Sequence, residues 1–119
     1  MGYAALYAEA LTLAEKVGIT PDRFDSVVRG GRMDSPFYQT FMRYTLEGDR
    51  DAHKFTLQNA YKDMRYLESM ADAAGVANPM GNAVKNAFGL AVAAGKGQDY
   101  VPMLAENVAA ANGIKLTRK

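Results

Sequence analysis

The sequence contains no cysteine. That absence excludes a disulfide scaffold, a thiolate metal site and a cysteine nucleophile together, and it fits a reducing compartment, read as the cytoplasm. An excess of either charge is missing too. Fourteen Lys and Arg residues against thirteen Asp and Glu give a formal net charge of +1, which points to neither nucleic acid nor an acidic membrane surface. No stretch approaches the roughly 20 apolar residues a membrane-spanning helix needs, and the opening MGYAALYAEA lacks the basic segment of a signal peptide. The one histidine, His53, sits in a charged loop with Asp49 and Asp51. Without a second ligand pair at helical spacing it reads as a surface histidine, and no metal site is expected. The segment AAGKGQD is not a phosphate loop, which needs G-x-x-x-x-G-K-[ST] between a strand and a helix; Gly95 and Gly97 read as the end of a helix. No serine combines a nucleophile-elbow context with a histidine partner. Period-two alternation, internal repeats and low-complexity tracts are likewise absent.

What is present is a chain of 119 residues, 49% hydrophobic and 23% charged, enough for one folded unit over residues 1–119 with a real core. Its pattern is helical throughout. In YAALYAEALTLAEKVG, the residues Leu6, Ala10, Leu13 and Val17 form one stripe, ended by Gly18. Thr20 then caps a second helix with Pro21 at its first position, ending at Gly30, and Ser35 with Pro36 repeats the device up to Gly48. A fourth helix starts near Thr56 or Leu57 and runs to Gly75, burying Ala60, Met64, Leu67, Ala71 and Ala74. Asn78 and Pro79 open a fifth, with a stripe of Met80, Val84, Ala87 and Ala91. A sixth follows Asp99, carries Val101, Leu104, Ala105 and Val108, and stops at Asn112-Gly113. The pattern predicts an all-α bundle of about six helices, with IKLTRK as a frayed tail.

Two features invite a functional reading. LAEKVGITPDRFDSVVRGG has the helix, Gly-containing turn and helix of a helix-turn-helix DNA reader. Its second helix, however, sets Asp22 and Asp25 against Arg23 and Arg29, and the chain has no basic excess to neutralise phosphates, so a helical corner is the preferred reading. The other feature is FTLQNAYKDMRYLESMADAAG. On a helix Lys62 falls about 160° from Ala60 and Met64 and points away from the apolar stripe, whereas Asp63 flanks it. By periodicity alone this is a solvated face, and Phe55 a hydrophobic staple or core residue.

The order of segments adds a resemblance. EALTLAEKVGI (9–19), the Ser-Pro at 35 and 36, GDRDAHKFTLQNAYKDM (48–64), GVANPM (75–80) and GKGQDY (95–100) together resemble the C-terminal helical domain of the β-hydroxyacid dehydrogenases. This family includes the 3-hydroxyisobutyrate dehydrogenases and tartronate semialdehyde reductases, and shares its helical domain with 6-phosphogluconate dehydrogenase-like enzymes. The most specific match is Gly48, Asp49, Phe55, Lys62 and Asp63. The resemblance implies a chain that pairs with a Rossmann domain, contributes one side of a cleft for NAD or NADP and a small 3-hydroxy acid or semialdehyde, and assembles as a homo-oligomer. It puts Lys62 at the cofactor's nicotinamide end and Phe55 and Asp63 near substrate. The family's catalytic lysine would lie upstream of the residues matching Glu9, so no catalytic residue is expected here. The isolated chain is expected to be inactive. A stand-alone helical dimerisation module is the alternative, and the helix-turn-helix reader ranks below it.

Overall fold

The computed structural model describes residues 1–118. Six α-helices follow one another: α1 (Gly2–Lys16), α2 (Pro21–Val28), α3 (Pro36–Glu47), α4 (Leu57–Ala74), α5 (Pro79–Ala91) and α6 (Leu104–Ala111). A π turn, Val92–Lys96, extends α5, and a 3₁₀ turn, Val101–Met103, leads into α6. The only isolated β pairing among the described residues is an antiparallel bridge between Thr56 and Tyr100. The all-helical expectation is met.

Local chemistry explains most of the boundaries. The Thr20, Ser35 and Thr56 hydroxyls accept the amides of Arg23, Tyr38 and Asn59, so each caps the helix that follows, an interaction worth about 1 kcal/mol. Gly48 and Gly75 close α3 and α4 in the left-handed conformation, which a side chain would resist. Asn78 departs from its expected role: α5 starts at Pro79, but the Asn78 side chain makes no capping bond. The second helix also stops at Val28, before the expected Gly30, when Arg29 takes an extended conformation.

The core gathers Leu11, Tyr38, Phe41, Leu57, Phe88 and Leu104, all essentially inaccessible to solvent. α1 crosses it, touching α6, α5 and α2. Here the largest departure from the sequence pattern appears. The stripe Leu6, Ala10, Leu13, Val17 does not face the core; Leu6 is 59% exposed and Leu13 and Val17 are each 66% exposed. Ala4, Ala5, Ala8 and Leu11 meet the core instead. α1 is apolar on two faces, and the face of alanines wins because small side chains let neighbouring helices approach closely.

α4 departs in a related way. Ala60 and Met64 are buried as expected, but Leu67 is 40% exposed, Ala71 is half-buried and Ala74 is exposed. At 18 residues α4 is about 27 Å long, and its far half is left with α5 as its neighbour. Met80, expected in the stripe of α5, is exposed at the same end, as are Tyr66 and Met70. Lys85 of α5 pairs with Glu68 of α4 there.

The segment after α6 is not frayed among the described residues. The Thr117 amide donates to the Glu15 carboxylate, and Arg118 donates to the carbonyls of Thr45 at 3.1 Å and Tyr44 at 3.0 Å. Its guanidinium also lies 5.0 Å from the centre of the Tyr44 ring. Charge-assisted bonds to carbonyls in the last turn of α3 hold this segment down. Lys119, the last residue of the expected tail, lies outside the described residues.

Candidate functional site

Phe55 lies two residues before α4 and Lys62 and Asp63 lie in its second turn; the first turn between them is tied to the chain between α5 and α6. A helix start leaves its first amides without internal partners. Here the Leu57 amide donates to the Asp99 carbonyl at 2.8 Å, the Gln58 amide to the Gly97 carbonyl at 2.9 Å, and the Asn59 amide to the Thr56 hydroxyl at 3.1 Å. In return the Val101 amide donates to the Phe55 carbonyl at 2.8 Å. Residues 55–58 and 97–101 are thereby clamped together. The Asp99 carboxylate extends the clamp to α6 by accepting from the Asn107 amide group at 3.2 Å.

This bonding decides what the helix start can do. Its three leading amides are all occupied, so it offers no cradle for a phosphate. An anion meeting this face would find side-chain donors only. Lys62 is exposed and forms no ion pair within 4.0 Å among the described residues. Gln58, Asn59 and Tyr66, its neighbours one turn away along the helix, are exposed as well. Asp63 is half-buried at the edge of the stripe, as its position predicts. Behind Lys62, Tyr61 packs over Gly89 of α5, where an added Cβ would come within 2.9 Å of the ring.

Phe55 is half-buried and belongs to a row of rings. Its centroid lies 6.3 Å from that of His53, which stands edge-on to Phe37 at 6.0 Å; Phe37 lies 6.3 Å from Tyr7, and Tyr7 lies 6.2 Å from Tyr3. His53 is therefore not the free surface histidine expected from its charged loop. Aromatic edges draw its ring inward, while the acidic groups of that loop turn elsewhere: Asp49 pairs with Arg43 at 2.8 Å and Asp51 approaches Lys54 at 3.8 Å. Among the described residues no group of three His, Cys, Asp or Glu side chains is placed to hold a metal ion.

Of the three candidates only Lys62 is exposed; Phe55 and Asp63 are half-buried. An open groove of about 660 Å³ lies between α1, α5 and α6, lined by Leu13, Lys16, Leu90, Lys96 and Val108 among others, and none of the three candidates lines it. The sequence pattern missed the part played by Gly97. Its φ of −58° is ordinary for any residue, so it does not merely end a helix. What sets it apart is proximity, since a Cβ there would meet the Gln58 side-chain oxygen at 2.8 Å. Only Gly95, at φ +85°, breaks the helix.

The six-helix unit thus presents a polar, outward-facing lysine on a helix whose first turn is braced. The family profile described as NAD-binding of NADP-dependent 3-hydroxyisobutyrate dehydrogenase matches residues 2–106, and the chain belongs to this family. The crystal structure of 3-hydroxyisobutyrate dehydrogenase from Salmonella typhimurium superimposes with a TM-score of 0.80 at 24% identity, which establishes a shared fold. The match covers 89% of this chain and 37% of that one, so the chain spans a little over a third of that enzyme's length. No curated protein sequence matches it.

Proposed function

We propose that this chain is the helical cleft domain of an NAD(P)-dependent dehydrogenase acting on a small 3-hydroxy acid or the corresponding semialdehyde, completed by a Rossmann domain. The observation that carries the reading is the family match over residues 2–106, joined to the exposed, unpaired Lys62 on a helix braced from behind. The residues present fit one end of such a cofactor. An ammonium flanked by carboxamide side chains suits the oxygens of a nicotinamide and its ribose, and the filled α4 amides leave the pyrophosphate to the other domain.

When bound, NAD(P) supplies the hydride acceptor or donor. Lys62 donates hydrogen bonds to a cofactor or substrate oxygen at the nicotinamide end. Asp63, one residue on and half-buried, orients neighbouring donors. Phe55 presents an apolar ring toward substrate and narrows water access. Alone, the chain is expected to transfer no hydride, because its sequence has no G-x-G-x-x-G turn after a strand to hold the cofactor's phosphates. The chain is also read as self-associating.

The test is hydride transfer, followed at the nicotinamide absorbance, by the chain joined to its Rossmann domain. Small 3-hydroxy acids and semialdehydes serve as substrates, with wild type beside Lys62→Ala. Loss of roughly a hundredfold or more in kcat/KM is expected, the scale of about 2.7 kcal/mol of transition-state stabilisation. Unchanged kinetics would return Lys62 to the solvated surface. Absence of turnover with every substrate would favour the stand-alone assembly module, a reading supported by the exposed stripe of α1. DNA reading by α2 gains no support, because Arg29 is committed to Asp25 at 2.9 Å and Asp25 also accepts the Tyr38 hydroxyl.

A further inference from the structure

The open groove of about 660 Å³ between α1, α5 and α6 has an uneven lining. Most of it is aliphatic, built by Leu13 of α1, by Leu90, Ala91 and Ala94 of α5 and the turn that extends it, and by Val108 of α6. Its size falls within the roughly 300 to 1,000 Å³ usual for small-molecule sites. Leu13 and Leu90 stand exposed in its walls.

Charge enters this lining mainly as cations. Lys96, the last residue of the turn after α5, lines the groove and also a second hollow of about 580 Å³, in which Lys115 and Arg118 stand. The two hollows share Asn107, Ala110 and Ile114 as well, so they meet at Lys96. Lys16, Lys96 and Lys115 are exposed and have no ion-pair partner within 4.0 Å among the described residues. Arg118 spends its Nε–H and one Nη2–H on the carbonyls of Thr45 and Tyr44, which leaves N–H groups free. Of the carboxylates, Glu106 already accepts the Tyr44 hydroxyl at 2.9 Å. Glu9 stands two helical turns before Lys16 and disfavours an anion at its own part of the wall.

We propose that the groove binds a free medium-chain aliphatic carboxylate, its chain along Leu13, Leu90 and Val108 and its head at Lys96, where the second hollow begins. Burial of the chain supplies the affinity, about fourfold for each methylene removed from water. The ammonium of Lys96 selects the charged head, and Lys115 and Arg118 extend the positive field behind it. A membrane surface is the poorer occupant, because the apolar residues line a recess and the chain's formal net charge is only +1. None of Phe55, Lys62 and Asp63 lines either hollow, so this site is separate from the dehydrogenase face and independent of that reading.

Calorimetric titration of the full chain with decanoate, below its micellar range, tests the proposal. A dissociation constant on the order of 100 µM is expected. Octanoate, two methylenes shorter, should bind roughly tenfold more weakly. Decanol, which keeps the chain and loses the charge, should bind about fivefold more weakly than decanoate. Lys96→Glu is expected to weaken decanoate about tenfold and to leave decanol within about twofold, whereas Leu90→Gln should weaken both by about fivefold. Both side chains are exposed, so helical circular dichroism should not change. Lys62→Ala should bind decanoate as wild type does. Absence of saturable decanoate binding up to about 1 mM overturns the proposal, whether the groove stays empty or a second copy of the chain fills it. So does decanol binding as tightly as decanoate, indifference to Lys96→Glu or Leu90→Gln, loss of binding in Lys62→Ala, or a response to anionic phospholipid vesicles alone. None of these outcomes depends on hydride transfer, so the two readings fail separately.

Discussion

The Gln58 amide donates to the Gly97 carbonyl at 2.9 Å, joining the start of α4 to the chain that leaves α5. Two glycines in that chain should therefore respond differently to one added methyl group. At Gly95, with φ +85°, alanine must adopt a left-handed conformation. Gly95→Ala is expected to lower unfolding stability by about 1 kcal/mol. At Gly97 the backbone is already helical and the added Cβ meets only the movable end of Gln58. Relief of unfolded-state entropy offsets that contact, so Gly97→Ala should change stability by less than about 0.5 kcal/mol. Urea midpoints of the two variants check the contrast, and equal losses would show that the loop does not hold the geometry described.

Gly89 faces an aromatic ring rather than a flexible chain end. Its Cβ would sit 2.9 Å from Cε1 of Tyr61, and a ring clamped between α4 and α5 has little room to give. Gly89→Ala is expected to destabilise the fold by about 1 to 3 kcal/mol. Tyr61→Ala in the same chain should recover part of the loss that the overpacking causes. A double-variant thermal melt no better than the sum of the single changes would count against this packing.

Tyr38 makes the alkaline limb of stability informative. Burial first, and then the hydrogen bond to Asp25, push its pKa well above the ordinary 10.0. A raised pKa means the folded state holds the proton more tightly, so this stabilisation is complete below about pH 10 and is lost as pH rises further. Tyr44, raised by burial and by its bond to Glu106 at 2.9 Å, acts with the same sign. Tyr38→Phe should reduce stability at neutral pH by about 1 kcal/mol and make the decline above pH 10 shallower. Denaturant titrations at several pH values read both effects; an unchanged alkaline slope would refute the assignment.

Arg118 is expected to contribute measurably although it lies at the end of the chain. Arg118→Ala removes two hydrogen bonds to carbonyls of α3 and the contact with the Tyr44 ring. A loss of about 1 kcal/mol is expected, discounted for solvent exposure. Arg118→Lys should not restore it fully, since an ammonium cannot reproduce the planar fork. Thermal melts of the three proteins decide the matter.

The bundle itself was legible because each helix is signalled by short-range chemistry. Thr20-Pro21, Ser35-Pro36 and the glycines at 18, 48 and 75 act through the backbone of their own neighbourhood. Which face of α1 is buried was not legible, because Leu6 and Leu13 outweigh Ala4 and Ala8 on any scale of apolarity. The alanines win through close helix approach, which depends on partners distant in sequence. For the candidate face, the outward position of Lys62 and the edge position of Asp63 followed from helical angles. The bracing of Phe55–Gln58 by Gly97–Val101 did not, since about forty residues separate the segments and main-chain bonds leave no mark on side-chain pattern. The inward turn of His53 was hidden because it depends on the rings of Phe37 and Phe55 meeting it in the fold.

Because the first turn of α4 is already bonded to Gly97, Asp99 and Thr56, its backbone would have little conformational freedom left to surrender if a ligand arrived at Lys62. Ordering there would fall almost wholly on the four-carbon stem of the lysine, roughly 1.5 to 2 kcal/mol of rotamer entropy rather than the larger sum for a folding loop. The ammonium can sweep an arc from a fixed pivot. Adjustment to ligands of different size would thus be a matter of side-chain reach, with the helix serving as its anchor post.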